Sequence, residues 1–116
     1  MLLVVDDDPE SRRYLRRTLE LEGYGVEEAA NGTDALAMAS ALRPDGIVLD
    51  FDLGVPDGGQ VRAALRLQPA LRNIPVLFVT GKDDALGEHA EAVLFKPVDP
   101  VRLAGVIRSM VGAARD

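Results

Sequence analysis

Two rhythms of apolar and polar positions run along the chain: short continuous apolar runs, and longer segments with helical spacing. Residues 2–5, 47–49 and 75–79 are mostly apolar at consecutive positions and are bounded by polar residues or turn formers. Runs of this kind suit strands covered on both faces rather than strands with one wet face. Residues 24–30 hold a weaker strand around Val26, and residues 92–95 are another short apolar run. Between these runs the spacing turns helical. Asp8 can cap a helix with Pro9 at its first position, and that helix reads on through Ser11, Leu15, Leu19 and Glu22 until Gly23 stops it. Asn31–Gly32 turns the chain into an alanine-rich helix over residues 33–42, followed by a loop over residues 43–46. Residues 58–67 place Val61, Ala64 and Leu65 on one helical face. Asp99–Pro100 repeats the cap-and-proline signal ahead of a last helix with Leu103, Val106, Ile107 and Met110 at helical spacing.

Strand and helix thus alternate through five rounds, with no internal linker. Strands buried on both faces with helices between them imply a doubly wound α/β domain, and at 116 residues the flavodoxin-like parallel order 2-1-3-4-5 is the natural candidate. One domain over residues 1–116 is expected, since this length supports one hydrophobic core. The fourth helix is expected to be short or irregular, because "GKDDALGEHAEA" holds two glycines and a poor apolar stripe.

In open parallel sheets ligands bind beyond the carboxyl ends of the strands. The first strand ends in Asp6 and Asp7, the third in Asp50, the fourth in Thr80 and the fifth in Lys96. Three carboxylates, a hydroxyl and an ammonium therefore converge on one edge. Two carboxylates about 5 Å apart repel by about 3 kcal/mol at an effective dielectric near 20, so a proton, a lysine or a cation must offset the crowding. Oxygen ligands with no His or Cys suit Mg²⁺ best, with Mn²⁺ as the alternative. A hard cation with open positions, a lysine that reaches phosphoryl oxygens and a hydroxyl donor form a site for phosphoryl transfer to Asp50.

Composition narrows the partners. Cysteine is absent, which excludes disulfides and thiolate metal sites. The net charge of −6 argues against direct nucleic-acid binding and favours a divalent cation or a basic partner. No apolar run is long enough to span a bilayer and no signal-peptide pattern opens the chain, so a cytoplasmic location without membrane contact is expected. Taken singly, several residues have blander readings. Asp8 is a helix cap rather than a ligand. Asp52 and Asp57 suit loop solvation and turn formation. The run Arg12, Arg13, Arg16 and Arg17 suits a solvated helix face, and His89 has no Cys or His neighbour with which to form a metal set.

Taken together, "LLVVDDDP", "VLDFDLGVPDGG", "LFVTG" and "LFKP" resemble the receiver domain of two-component response regulators over nearly the whole chain. A minority subgroup of that family looks like this chain, with Phe-x-Thr-Gly at the fourth strand (here Phe78 to Gly81) and a degraded fourth helix. The resemblance implies phosphorylation of Asp50 by a sensor histidine kinase or phosphotransfer protein. It implies Mg²⁺ held by Asp6, Asp7, Asp50 and the backbone carbonyl of Asp52, with Asp7 the more direct ligand of the acidic pair. Thr80 matches the switch hydroxyl, Lys96 the lysine that precedes a cis bond to Pro97, and Asp57–Gly58 the pair after the phosphorylation loop. It also implies a signalling phosphoacceptor rather than an enzyme acting on outside metabolites, and partner docking near the first helix. Three positions depart from the family: Gly54 stands where proline is usual, Val93 where an aromatic switch residue is common, and Val98 where phenylalanine is common.

Two other functions fit parts of the pattern. A pseudo-receiver would be an interaction module that never uses phosphate, consistent with the altered switch region. A haloacid-dehalogenase-type phosphatase would use the Asp-x-Asp of "LDFD", but in that family this motif ends the first core strand and further acids follow the lysine strand. The chain ends soon after its last helix, as a single-domain regulator or a receiver taken from a larger protein would.

Overall fold

In the computed structural model, which describes residues 1–81 and 92–112, a five-stranded parallel sheet has the order β2-β1-β3-β4-β5. The elements are β1 (Leu2–Val5), α1 (Pro9–Leu21), β2 (Val26–Ala29), α2 (Gly32–Leu42), β3 (Gly46–Leu49), α3 (Gly58–Leu67), β4 (Val76–Thr80), β5 (Ala92–Phe95) and α4 (Pro100–Val111). The expected short helix between β4 and β5, with His89, lies outside the described residues.

The consecutive apolar runs have a simple physical cause. Side chains of a strand alternate between faces, and here each face is covered. Leu3, Val5, Ile47, Leu49, Val76 and Phe78 join a core with Ala35 and Ala39 of α2 and Val61 and Leu65 of α3. Leu2, Val4, Val48, Leu77 and Val79 join a second core with Leu15 and Leu19 of α1 and Leu103 and Ile107 of α4. Every residue of β1, β3 and β4 is buried, whereas β5, at the sheet edge, leaves Phe95 half exposed. Val106 and Met110 of the last helix pack against the second core but stay partly exposed.

The helix starts follow the side chains at their caps. The Asp8 carboxylate accepts from the N–H of Glu10, with Pro9 opening α1. Asn31 accepts from Asp34, and α2 begins at Gly32, one residue earlier than its alanine pattern suggests. Asp57 and Gln60 form a reciprocal capping box at α3, and Asp99 caps α4. The two tyrosines tie α4 down at both ends: Tyr14 donates to the carbonyl of Val98 and Tyr24 to that of Gly112, each at 2.8 Å. Among the described residues no helix is long and apolar enough to cross a membrane.

Candidate metal and phosphoryl site

The site begins where the sheet stops. The backbone ladder runs one residue past the strand ends: Asp6 N–H donates to the Ala29 carbonyl (3.2 Å), Asp50 N–H to Val5 (2.9 Å) and Lys96 N–H to Thr80 (2.8 Å). The three charged residues are therefore held by the sheet itself, not by a free loop. Oxygens of Asp6, Asp7 and Asp50 lie within 4.8 Å of one another. Asp6 and Asp50 are buried, while Asp7 is exposed and opens the group to solvent.

Lys96 enters from β5, and its Nζ lies 2.9 Å from Asp6 Oδ2 and 3.5 Å from Asp50 Oδ2. It bridges the two buried carboxylates across the switch point of the sheet. Asp6 also accepts from the Asp8 N–H on Oδ1 (2.9 Å) and from the Ser11 hydroxyl on Oδ2 (2.7 Å). Burial pushes the Asp50 carboxyl up to about 6, and the Asp6 charge acts in the same direction. The hydrogen bond from the Asp52 N–H and the Lys96 charge pull it down but only partly compensate. For Lys96, burial disfavours the ammonium, but the hydrogen bond to Asp6 and the charges of Asp50 and Asp6 outweigh it, so its pKa is raised.

The remaining residues singled out above fall around this centre. Thr80 ends β4 fully buried, on the strand next to β3. Asp52 lies two residues past Asp50; its N–H donates to Asp50 Oδ1 at 3.2 Å and its side chain points out of the core. Its carboxylate is outside the three-carboxylate group. The Lys96–Pro97 bond is cis, and so is Val55–Pro56. Gly54 has φ +84°, a value closed to proline with its fixed negative φ, so the loop after Asp50 bends differently from one with proline there. A Cβ on Gly58 would meet Phe51 Cα at 2.6 Å and the Asp50 carbonyl at 2.7 Å. Only glycine lets the start of α3 approach the end of β3 this closely.

Two features beside the acidic pair escape the sequence. Arg12 and Arg16 do not simply form a solvated face: both pair with Glu28 of β2 (2.9 and 2.6 Å), and Arg12 also donates to the Asp6 carbonyl at 2.8 Å. This arginine braces the backbone of the acidic pair against the edge strand. Ser11 is the other, since a serine three residues after a cap carries no signal until the fold shows its neighbour.

A clustered set of hard oxygen donors without nitrogen or sulfur fits a cation such as Mg²⁺, and the charges left uncompensated by one lysine give that fit a reason. Comparison with known proteins agrees with the geometry. The family profile described as "Response regulator receiver domain" matches residues 2–108. The transcriptional regulatory protein PcoR of Escherichia coli is 37% identical over 120 residues, covering 98% of this chain and 52% of PcoR. The chain therefore spans about half the length of that curated relative. Chemotaxis protein CheY4 of Vibrio cholerae superposes with TM-score 0.87 at 31% identity, covering 94% of this chain and 96% of that one. The receiver domain of sensor histidine kinase PA1611 from Pseudomonas aeruginosa superposes with TM-score 0.87 at 27% identity over 97% of both chains, and holds a magnesium ion in its active-site cleft.

Proposed function

We propose, given that this chain belongs to the response regulator receiver domain family, that it is a signalling switch whose Asp50 accepts a phosphoryl group. The observation that carries this is the Lys96 ammonium bridging Asp6 and Asp50 at the strand ends while Asp7 stays open to solvent. The donor is a phosphohistidine on a sensor histidine kinase or phosphotransfer protein, met in the cytoplasm. An Asp50 carboxylate oxygen forms a bond to phosphorus as the phosphorus–nitrogen bond breaks and the histidine nitrogen keeps the electron pair. Water later attacks phosphorus and releases inorganic phosphate, restoring the carboxylate.

Each residue has a separable part. The side chains of Asp6, Asp7 and Asp50 and the carbonyl of Asp52 would hold Mg²⁺, which would neutralise charge on the phosphoryl oxygens. Lys96 leaves its weaker contact with Asp50 to pair with a phosphoryl oxygen, and Thr80 donates its hydroxyl to another. The chain turns over no outside metabolite. PcoR, by its name a transcriptional regulator, is about twice as long as the region it shares with this chain. The acidic charge of this region therefore says nothing about nucleic-acid contacts elsewhere in such proteins.

Incubation with Mg²⁺ and acetyl phosphate, read by intact mass, tests the proposal. A phosphoryl adduct on the wild type that disappears in Asp50→Asn is expected. Neither adduct nor Mg²⁺ binding would point to a pseudo-receiver, and steady hydrolysis of many phosphomonoesters to a phosphatase.

A further inference from the structure

Asp6 is completely buried, and its carboxylate accepts three hydrogen bonds. The Asp8 N–H takes Oδ1, while Ser11 Oγ (2.7 Å) and Lys96 Nζ (2.9 Å) share Oδ2. A carboxylate oxygen offers about two lone-pair directions. With one filled by Ser11, a single direction is left for the ammonium, and from there Nζ stands 3.5 Å from Asp50 Oδ2. Ser11 is the third residue of α1, a helix whose start is set by the Asp8 cap and Pro9. The hydroxyl is thus delivered from a rigid element.

We propose that Ser11 is a positioning residue for phosphoryl transfer: its hydroxyl, donated to Asp6 Oδ2, confines Lys96 Nζ to the side that faces Asp50. Without it the vacated lone pair offers the ammonium a second resting place, away from the reacting carboxylate. Ser11 donates to Asp6 and acts through Asp6 and Lys96. This inference rests on the phosphoacceptor role of Asp50 proposed above.

The test is the rate of phosphorylation by acetyl phosphate at saturating Mg²⁺, followed by intact mass, with Mg²⁺ affinity measured alongside. Ser11→Ala is expected to slow the reaction by about fivefold to tenfold while Mg²⁺ affinity stays within about twofold, as loss of one orienting contact predicts. Ser11→Thr and Ser11→Val have nearly the same shape and differ in the hydroxyl. The threonine variant is expected near the wild-type rate and the valine variant near that of alanine, so a folding defect from either shape is seen in both. In a Lys96→Met background, Ser11→Ala is expected to change the residual rate by less than about twofold, because two residues acting as a unit are not additive. A wild-type rate in Ser11→Ala, or an equal slowing with and without Lys96, would overturn the assignment. A wild type that forms no adduct at all would overturn the phosphoacceptor reading and this inference with it, an outcome distinct from any failure confined to the Ser11 variants.

Discussion

At the scale of single residues, burial at the carboxyl end of the central strand β3 sets the protonation of Asp50. Its folded pKa of about 6 lies above its ordinary value of 3.8. The folded state therefore binds more protons than the unfolded state in this window, and stability falls as pH rises through it. Lys96 is raised instead, and its contribution is fully present at these pH values. Urea unfolding of the metal-free protein is expected to show its stability dropping between about pH 4 and pH 6, with a slope approaching about 1.4 kcal/mol per pH unit from this group. Asp50→Asn should remove that slope; a slope unchanged in the variant would contradict the assignment. Gly58 poses a steric question at the same scale. Gly58→Ala puts a methyl group against backbone atoms of Phe51 and Asp50, and is expected to cost about 2 kcal/mol in urea unfolding despite alanine's better helix propensity.

At the scale of elements, the strands and helices among the described residues were legible to within a residue or two because their patterns are local. The consecutive apolar runs of β1, β3 and β4 and the caps Asp8 and Asp99 each carry their meaning within a few positions. The strand-end residues Asp6, Asp7, Asp50, Thr80 and Lys96 were legible for the same reason, once a parallel order was inferred. Most of what escaped depends on pairs that only the fold brings together. Arg12 and Arg16 read as solvated because Glu28 belongs to another element. Asp57 is the exception: it reads as a turn former, although Gln60 three residues on completes a local capping-box pattern with it. That exchange is measurable. Asp57→Ala removes the side-chain half of the box and is expected to destabilise the protein by about 1 kcal/mol in urea unfolding, with unchanged dependence on urea.

At the scale of the whole molecule, the sheet separates two cores, one under α2 and α3 and one under α1 and α4. The 2-1-3-4-5 order was legible because strands apolar at every position demand cover on both sides, and few topologies of this length supply it. The partition of helices between the faces follows from right-handed crossovers. One further property arises from where the aromatic residues lie. The chain has no tryptophan and two tyrosines, and both phenols donate to backbone carbonyls that bracket α4. The protein thus carries a built-in optical gauge for a single helix. In thermal scans at neutral pH, tyrosine fluorescence and near-ultraviolet dichroism are expected to follow the seating of α4, while far-ultraviolet dichroism follows the fold at large. If α4 detaches first, the two midpoints will separate; Tyr14→Phe together with Tyr24→Phe should silence the gauge. No dye or engineered label is needed to watch that helix move.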